Sequence, residues 1–245
     1  MGAADTAEAP GLNAPERIDR ALTHQILRGT FPPGTHLPTL RDLAEAHGVN
    51  PSTMQRALAR LERRGLITAR QGSGLLVNDP AEVGDLSLVA DWLAITAHDP
   101  ERCASILADL LEARRVLATR LIVRHRLAVM DAVADLVAGA SELLAASPDL
   151  IVEADLRVAR TIIRATGNTV AAAILNSVER TLTEVPHLAE AMYGDPGRNA
   201  AALLEVVAAV RDGGPELGPR IEAVMEDIDA GTVSAFHRLL AENEG

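Results

Sequence analysis

The sequence predicts a mainly α-helical chain. A winged helix-turn-helix lies near its N-terminus and an all-α body follows. Three observations carry this. Residues 39–78 hold two short helical patterns split by a glycine and followed by two strand-like runs around a glycine-rich turn. From Leu88 onward only helical periods survive. Aromatic residues make up 2% of a chain that is 48% hydrophobic, so the core must be aliphatic, which suits helices.

In chain order, residues 1–14 are rich in Ala, Pro, Gly and acids and read as a disordered tail. A first helix is expected from about Pro15 to Gly29, with Ile18, Ala21, Leu22, Gln25 and Ile26 along one face. Thr30-Phe31-Pro32-Pro33-Gly34 forms a rigid turn. Thr39 is placed to cap a helix carrying Leu40, Leu43 and Ala44. Gly48 breaks it, and Pro51 or Ser52 opens another, with Met54, Ala57, Leu58 and Leu61 at helical spacing. Gly65 ends that helix. Leu66–Ala69 and Leu75–Val77 then form a hairpin joined by Arg70-Gln71-Gly72-Ser73-Gly74.

The chemistry of this stretch fits double-stranded DNA. The second helix presents Asn50, Ser52, Thr53, Gln55 and Arg56 at its N-terminal end, groups able to reach phosphates and base edges in a major groove. Gly72, Ser73 and Gly74 make a tip without bulk, beside Gln71, so its backbone can come close to a duplex. The alternative is a small α/β cap with the same spacing and no DNA. Charge supports the first reading. The chain has 23 basic residues, all arginine, and a net charge of −11. Residues 15–78 hold nine Arg and five acids, +4, leaving −15 elsewhere. A basic head on an acidic body suits a protein whose head alone meets phosphate.

The run from Pro32 to Val77 carries a resemblance, which extends over about 60 residues of the chain, to the DNA-binding domain of GntR-type bacterial transcription regulators. The resemblance implies that Arg41, at the start of the first reading helix, stands where the family contacts its operator; Thr39, at the same helix end, is a further DNA-binding candidate. The family's recognition helix often carries two arginines, where this chain has Pro51 and Gln55. Gln pairs with adenine rather than guanine, so a shifted operator is expected.

Residues 79–86 read as a linker, and residues 87–245 as the body. Breakers at His98-Asp99-Pro100, Ser147-Pro148, Gly167-Asn168, Gly194-Asp195-Pro196-Gly197 and Gly213-Gly214-Pro215 divide it into about seven helices. These run over 86–97, 101–124, 128–146, 149–166, 168–193, 197–212 and 216–241. Such a body is large enough to bury a core and a cavity. Cys103, the single cysteine, excludes an intrachain disulfide and reads as a buried apolar residue. No signal peptide and no membrane-spanning run is present, so a cytoplasmic protein is expected.

The body resembles the FCD effector domain, in its fatty-acid-responsive FadR branch. The resemblance rests on His98-Asp99-Pro100, residues 107–114, Asp155-Leu156-Arg157, residues 163–168 and Ile174-Leu175-Asn176. It implies an antiparallel helical bundle that binds a small acid or acyl thioester and forms a homodimer on a palindromic operator. It also implies that Arg114 points into the effector cavity, where a guanidinium suits a carboxylate or phosphate. The alternatives are a surface arginine or a pair with Asp155. Asn176, set among Ile174, Leu175 and Val178, reads as a buried amide, either in the pocket or bonded between helices. Asp155 is an effector-binding candidate, weighed equally against a structural ion pair, and Arg157, Thr161, His187 and Tyr193 are weaker effector candidates.

Many FCD domains hold a metal with an Asp, a His four residues on and two later His. Asp155 matches the Asp, but Ala159 stands where the His belongs. The body's histidines, 98, 125, 187 and 237, have no ligand spacing, so no metal and no cofactor are expected. No nucleophile elbow, HExxH, Walker loop or Gly-rich dinucleotide turn occurs. A pyridoxal-enzyme fusion would need a lysine, which the chain lacks. The reading is a ligand-responsive DNA-binding regulator, a repressor, and not an enzyme. The alternatives are a ligand-blind dimeric DNA binder and a metal-dependent carboxylate sensor.

Overall fold

A computed structural model describes residues 13–70, 72 and 74–243. Residues 1–12 of the expected 1–14 tail, together with Gln71 and Ser73, lie outside the described residues, while Asn13 and Ala14 cap and begin the first helix. The chain divides into two compact units, up to Asp91 and from Trp92 onward.

In the first unit, α1 spans Ala14–Leu27. It starts a residue earlier than periodicity alone indicates, because Asn13 and Glu16 close a reciprocal capping box ahead of Pro15. α2 (Leu40–Ala46) is capped by Thr39, and α3 (Pro51–Arg63) by Asn50. Met54, Ala57, Leu58 and Leu61 are buried against α1 and α2. Each large side chain among them contributes about 2 kcal/mol of hydrophobic stabilisation. β1 (Ile67–Arg70) and β2 (Gly74–Val77) pair antiparallel, with Ile67 opposite Val77 and Arg70 opposite Gly74. His36 bridges to Leu76 on the free edge of β2, which ties the segment before α2 to the hairpin. Gly72 and Gly74 take φ of +78° and +90°, backbone that a β-branched residue would not hold. Asn78 closes the wing by donating to the Thr68 hydroxyl and the Gly65 carbonyl.

The segment read as a linker is not plain coil. Asp79 caps a single turn, α4 (Pro80–Val83), and a 3-10 turn follows at Leu86–Leu88. α5 (Val89–Thr96) begins in the first unit and ends in the second.

The second unit is built of helices, with no strand among its described residues. Its helices are α6 (Pro100–Arg124), α7 (Arg126–Asp131), α8 (Val133–Ala145), α9 (Ile151–Thr166), α10 (Thr169–Glu184), α11 (Leu188–Tyr193), α12 (Pro196–Asp212) and α13 (Leu217–Asn243). Two helices expected to run through are broken. The 168–193 run stops at Val185, which is extended ahead of Pro186, and His187 turns at φ +62° before α11 starts. Proline has no N–H to donate and pushes its predecessor out of helical backbone. The 128–146 run begins two residues early and bends at Ala132. Arg126 at its start donates to the carbonyls of Val210 and Arg211, the orphaned acceptors at the end of α12.

The core is aliphatic. It is built from Val129 and Val133, Leu136 and Leu143 of α8, Ile151 and Val158 of α9, and Leu203, Val207 and Val210 of α12. Gly139 lets α8 and α9 approach closely, since a Cβ there would sit 2.6 Å from Val158 Cγ2. α6 and α13, the two longest helices, pack on each other and frame the polar cluster of this unit. Cys103 is buried, with its thiol on the Leu93 carbonyl. No helix among the described residues is long and apolar enough to cross a membrane.

Candidate nucleic-acid interface and effector site

On the reading face, buried and exposed sides of α3 separate cleanly. Ser52, Gln55 and Arg56 are exposed, opposite Met54, Ala57 and Leu61. Asn50 and Thr39 are exposed, but both act first as caps. The Asn50 Oδ1 accepts from the Thr53 amide and the Ser52 hydroxyl, each at 2.8 Å. The Thr39 hydroxyl accepts from the Asp42 amide at 3.2 Å and donates to its carboxylate at 2.7 Å. These bonds fix where each helix begins, and the positive end of a helix dipole is favourable for phosphate.

The arginines of this helix sort into two roles that composition cannot distinguish. Arg60 reaches back to Glu16 and Asp19 of α1, at 3.4 Å and 3.5 Å. Arg64 meets the Thr23 hydroxyl at 3.1 Å and Asp91 at 2.5 Å. Burial pushes the Asp19 carboxyl up, against the opposing fields of Arg64 and Arg60. Arg41, Arg56, Arg63 and Arg70 are exposed and form no ion pair with the described residues. Those four, with Arg28, which is likewise exposed, are cations available to a duplex, whereas Arg60 and Arg64 are held within the unit. Gly72 and Gly74 are exposed at the hairpin tip.

In the helical body the polar groups converge on one carboxylate. Asp229 of α13 is buried and takes Arg114 Nη2 on one oxygen at 2.5 Å and Arg115 Nη1 on the other at 2.8 Å. Beside them the Tyr193 hydroxyl donates to Asp155 Oδ2 at 2.8 Å. Burial pushes the Asp155 carboxyl up, opposed by the Tyr193 bond and the field of Arg114. Burial and the neighbouring Asp155 drive the Tyr193 phenol well above its ordinary range. Arg114 is therefore paired with Asp229, not Asp155, and acts on Asp155 through its charge alone. Three buried polar atoms here have no hydrogen-bond partner: the Nε of Arg114, the Nε of Arg115 and the Thr119 hydroxyl. Such atoms are uncommon in folded proteins and mark a place where a further acceptor would be stabilised.

Arg114, Asp155 and Tyr193 thus come together, and Thr161 and Asn176 do not join them. The Thr161 hydroxyl is bonded to the Arg157 carbonyl one turn back. Asn176 was read as buried and is exposed, because α10 turns Ala171, Thr181 and Leu182 inward instead. Arg157 is an exposed partner of Glu142 and Glu153, and His187 faces Glu190. Sequence reasoning missed Arg115, Thr119 and Asp229. The doubled Arg114-Arg115 inside an apolar helix was the available signal for the first. Asp229 sits in an acidic run where Asp227, two residues away, pairs with Arg198. Among the described residues no three His, Cys, Asp or Glu side chains gather to hold a metal ion. An open cleft of about 410 Å³ in this unit is lined by Met192, Asp195, Arg198, Asn199, Thr232 and Arg238.

Residues 15–77 match the profile of the bacterial regulatory proteins of the gntR family, and residues 107–226 match the FCD domain. The chain belongs to the GntR family. It is 31% identical over 209 residues, 82% of this chain and 81% of the relative, to an uncharacterized HTH-type transcriptional regulator of Mycobacterium tuberculosis. It is 30% identical over 211 residues, 80% of this chain and 86% of the relative, to the fatty acid metabolism regulator protein of Edwardsiella ictaluri. A solved structure of Lar from Listeria monocytogenes shares the fold, with a TM-score of 0.54 at 16% identity over 93% of this chain and 98% of that one. This GntR chain is accordingly a transcriptional regulator of the FadR-like type and not an enzyme. The GntR domain is the part that binds DNA, and the FCD domain is the part that binds a small-molecule effector.

Proposed function

We propose that this regulator is a cytoplasmic homodimeric repressor that reads a palindromic operator and changes its operator affinity when an organic acid or acyl thioester binds beside Arg114. The effector site uses no metal. The cluster of Arg114 and Arg115 on Asp229, with Asp155 and Tyr193 alongside, carries the reading. Two guanidiniums in an apolar bundle form a fork suited to a carboxylate or phosphate. Their unpartnered Nε atoms and the Thr119 hydroxyl offer donors to such a group. Ala159 stands one turn after Asp155, so a metal would lack the histidine it needs on that face. The acyl class draws support from the fatty acid metabolism regulator protein among the relatives.

On the DNA side, Arg41, Arg56, Ser52, Thr53 and Gln55 are the groups assigned to the operator, with the Gly72 and Gly74 backbone near phosphate. The test is fluorescence anisotropy on a duplex selected by this protein from random sequence. The complex is titrated with decanoate, decanoyl-CoA and CoA alone. An acyl ligand is expected to weaken binding by about 5- to 150-fold, and Arg114→Ala to remove the response. Saturation with no change in operator affinity overturns effector control and leaves a ligand-blind DNA binder. A response that appears only with added zinc or manganese overturns the metal-free site.

A further inference from the structure

We propose that Asp229 occupies the anion position of the effector site, and that an effector carboxylate or phosphate binds by exchanging with it on Arg114 and Arg115. The proposal rests on the effector reading above and names the group that the effector displaces. Asp229 Oδ1 accepts from Arg114 Nη2 at 2.5 Å, and Oδ2 accepts from Arg115 Nη1 at 2.8 Å. Each guanidinium is therefore held by one terminal nitrogen. Two parallel bonds from one guanidinium to one carboxylate are the stronger mode, and neither arginine makes them here. The Arg114 side chain keeps 29% of its surface exposed, against 6% for Asp229, so an anion arriving from solvent meets the guanidinium first.

The idle donors separate this pair from a purely structural one. Arg114 Nε, Arg115 Nε and the Thr119 hydroxyl are buried without a partner. Thr119 follows Arg115 by four residues, on the same face of α6. A network built only to tie α6 to α13 would leave no such surplus, because each buried donor without an acceptor is destabilising. The neighbouring carboxylate does not take them up. Asp155 Oδ2 accepts from the Tyr193 hydroxyl, and neither arginine donates to Asp155. An incoming anion keeps the attraction that Asp229 supplies and adds bonds to the idle donors. The displaced Asp229 cannot stay buried as an unpaired charge, so α13 must shift to bring it to water. α6 and α13 pack on each other, and the exchange gives the bound and free states different contacts along them. That difference is what lets a ligand shift an equilibrium between two states.

The test is isothermal titration calorimetry of decanoate and decanoyl-CoA into the full chain and into Asp229→Asn, with circular dichroism to show that both are folded. Asn keeps the shape of Asp and loses the competing charge. Asp229→Asn is expected to bind the acyl ligand about tenfold tighter than the wild type, the gain when a site blocked about nine-tenths of the time is opened. A residue that only positioned the guanidiniums would shift affinity the other way. A crystal structure of the wild type with decanoate gives a second reading that does not depend on how the variant folds. Its carboxylate is expected on Arg114 and Arg115, with Asp229 parted from both. Equal or weaker binding by a folded Asp229→Asn, or a crystal in which Asp229 keeps both guanidiniums beside the bound acid, overturns the exchange and leaves the effector site standing. No binding of either ligand to either protein overturns both.

Discussion

Arg64 Nη2 lies 2.5 Å from Asp91 Oδ2, and His24 Nε2 approaches the other oxygen of that carboxylate at 3.2 Å. The pair joins the C-cap of α3 to the first turn of α5, with α1 contributing His24 and the Thr23 hydroxyl. Burial pushes the Asp91 carboxyl up, but the His24 bond and the Arg64 charge outweigh it and hold the group below its ordinary value.

The sign of the pH dependence follows. A carboxyl depressed in the folded state contributes stability above the unfolded pKa, near 3.8, that is lost as pH falls through its folded pKa. Asp91→Asn is expected to cost about 2–3 kcal/mol at neutral pH, because Arg64 is left without its main partner. The loss should shrink below about pH 4. Urea melts at pH 7 and pH 3.5 check this; an equal loss at both would show that packing, not charge, holds the contact.

Asp155 behaves oppositely. Its pKa is raised, so its contribution is complete below the unfolded value and lost as pH rises through the folded pKa. Tyr193→Phe removes the donor that stabilises the carboxylate, and is expected to destabilise by about 1–2 kcal/mol at pH 7. The cost should be smaller at pH 3.5, where the carboxyl is protonated in both proteins. Paired melts of the two proteins at these values provide the comparison.

Arg56 and Arg60 are one helical turn apart with different work. Arg56→Ala is expected to leave the melting temperature unchanged and to lower by about one the slope of log K against log salt on a duplex. Arg60→Ala is expected to lower stability by about 1 kcal/mol through its partly exposed pairs with Glu16 and Asp19. Anisotropy titrations in 50–200 mM salt, beside thermal melts, separate the two.

Asp229→Ala leaves Arg114 and Arg115 without their shared counter-charge, and a loss of about 3 kcal/mol is expected. Acetate should raise the melting temperature of this variant more than chloride at equal ionic strength. Equal effects of the two salts would mean that the guanidiniums had turned to solvent.

Gly139→Ala is expected to cost about 1–3 kcal/mol through overpacking against Val158. Val158→Ala in the same background should recover part of the loss, measured as a double-mutant cycle in denaturant.

The sequence by itself determined the order of elements in the first unit, the Thr39 cap on the reading face, the hairpin wing, the helical body and its aliphatic core. Those depend on local signals: Thr39 and Pro51 at helix starts, Gly48 and Gly65 at stops, and apolar residues at helical spacing. It also marked Arg114, because a charge inside an apolar helix is legible from neighbours in the chain. The tertiary structure alone decided which charges are free and which are held. Arg60 and Arg56 read alike on the same helix until α1 supplies Glu16 and Asp19 to one of them. Arg114 finds Asp229, 115 residues away, and Asp155 finds Tyr193, pairings set by how α6, α9, α11 and α13 pack together. Asn176 read as buried from its apolar neighbours and faces outward, because the face a helix buries is chosen by its packing partners. Ion pairs across a fold depend on which surfaces meet, and no spacing along the chain encodes that.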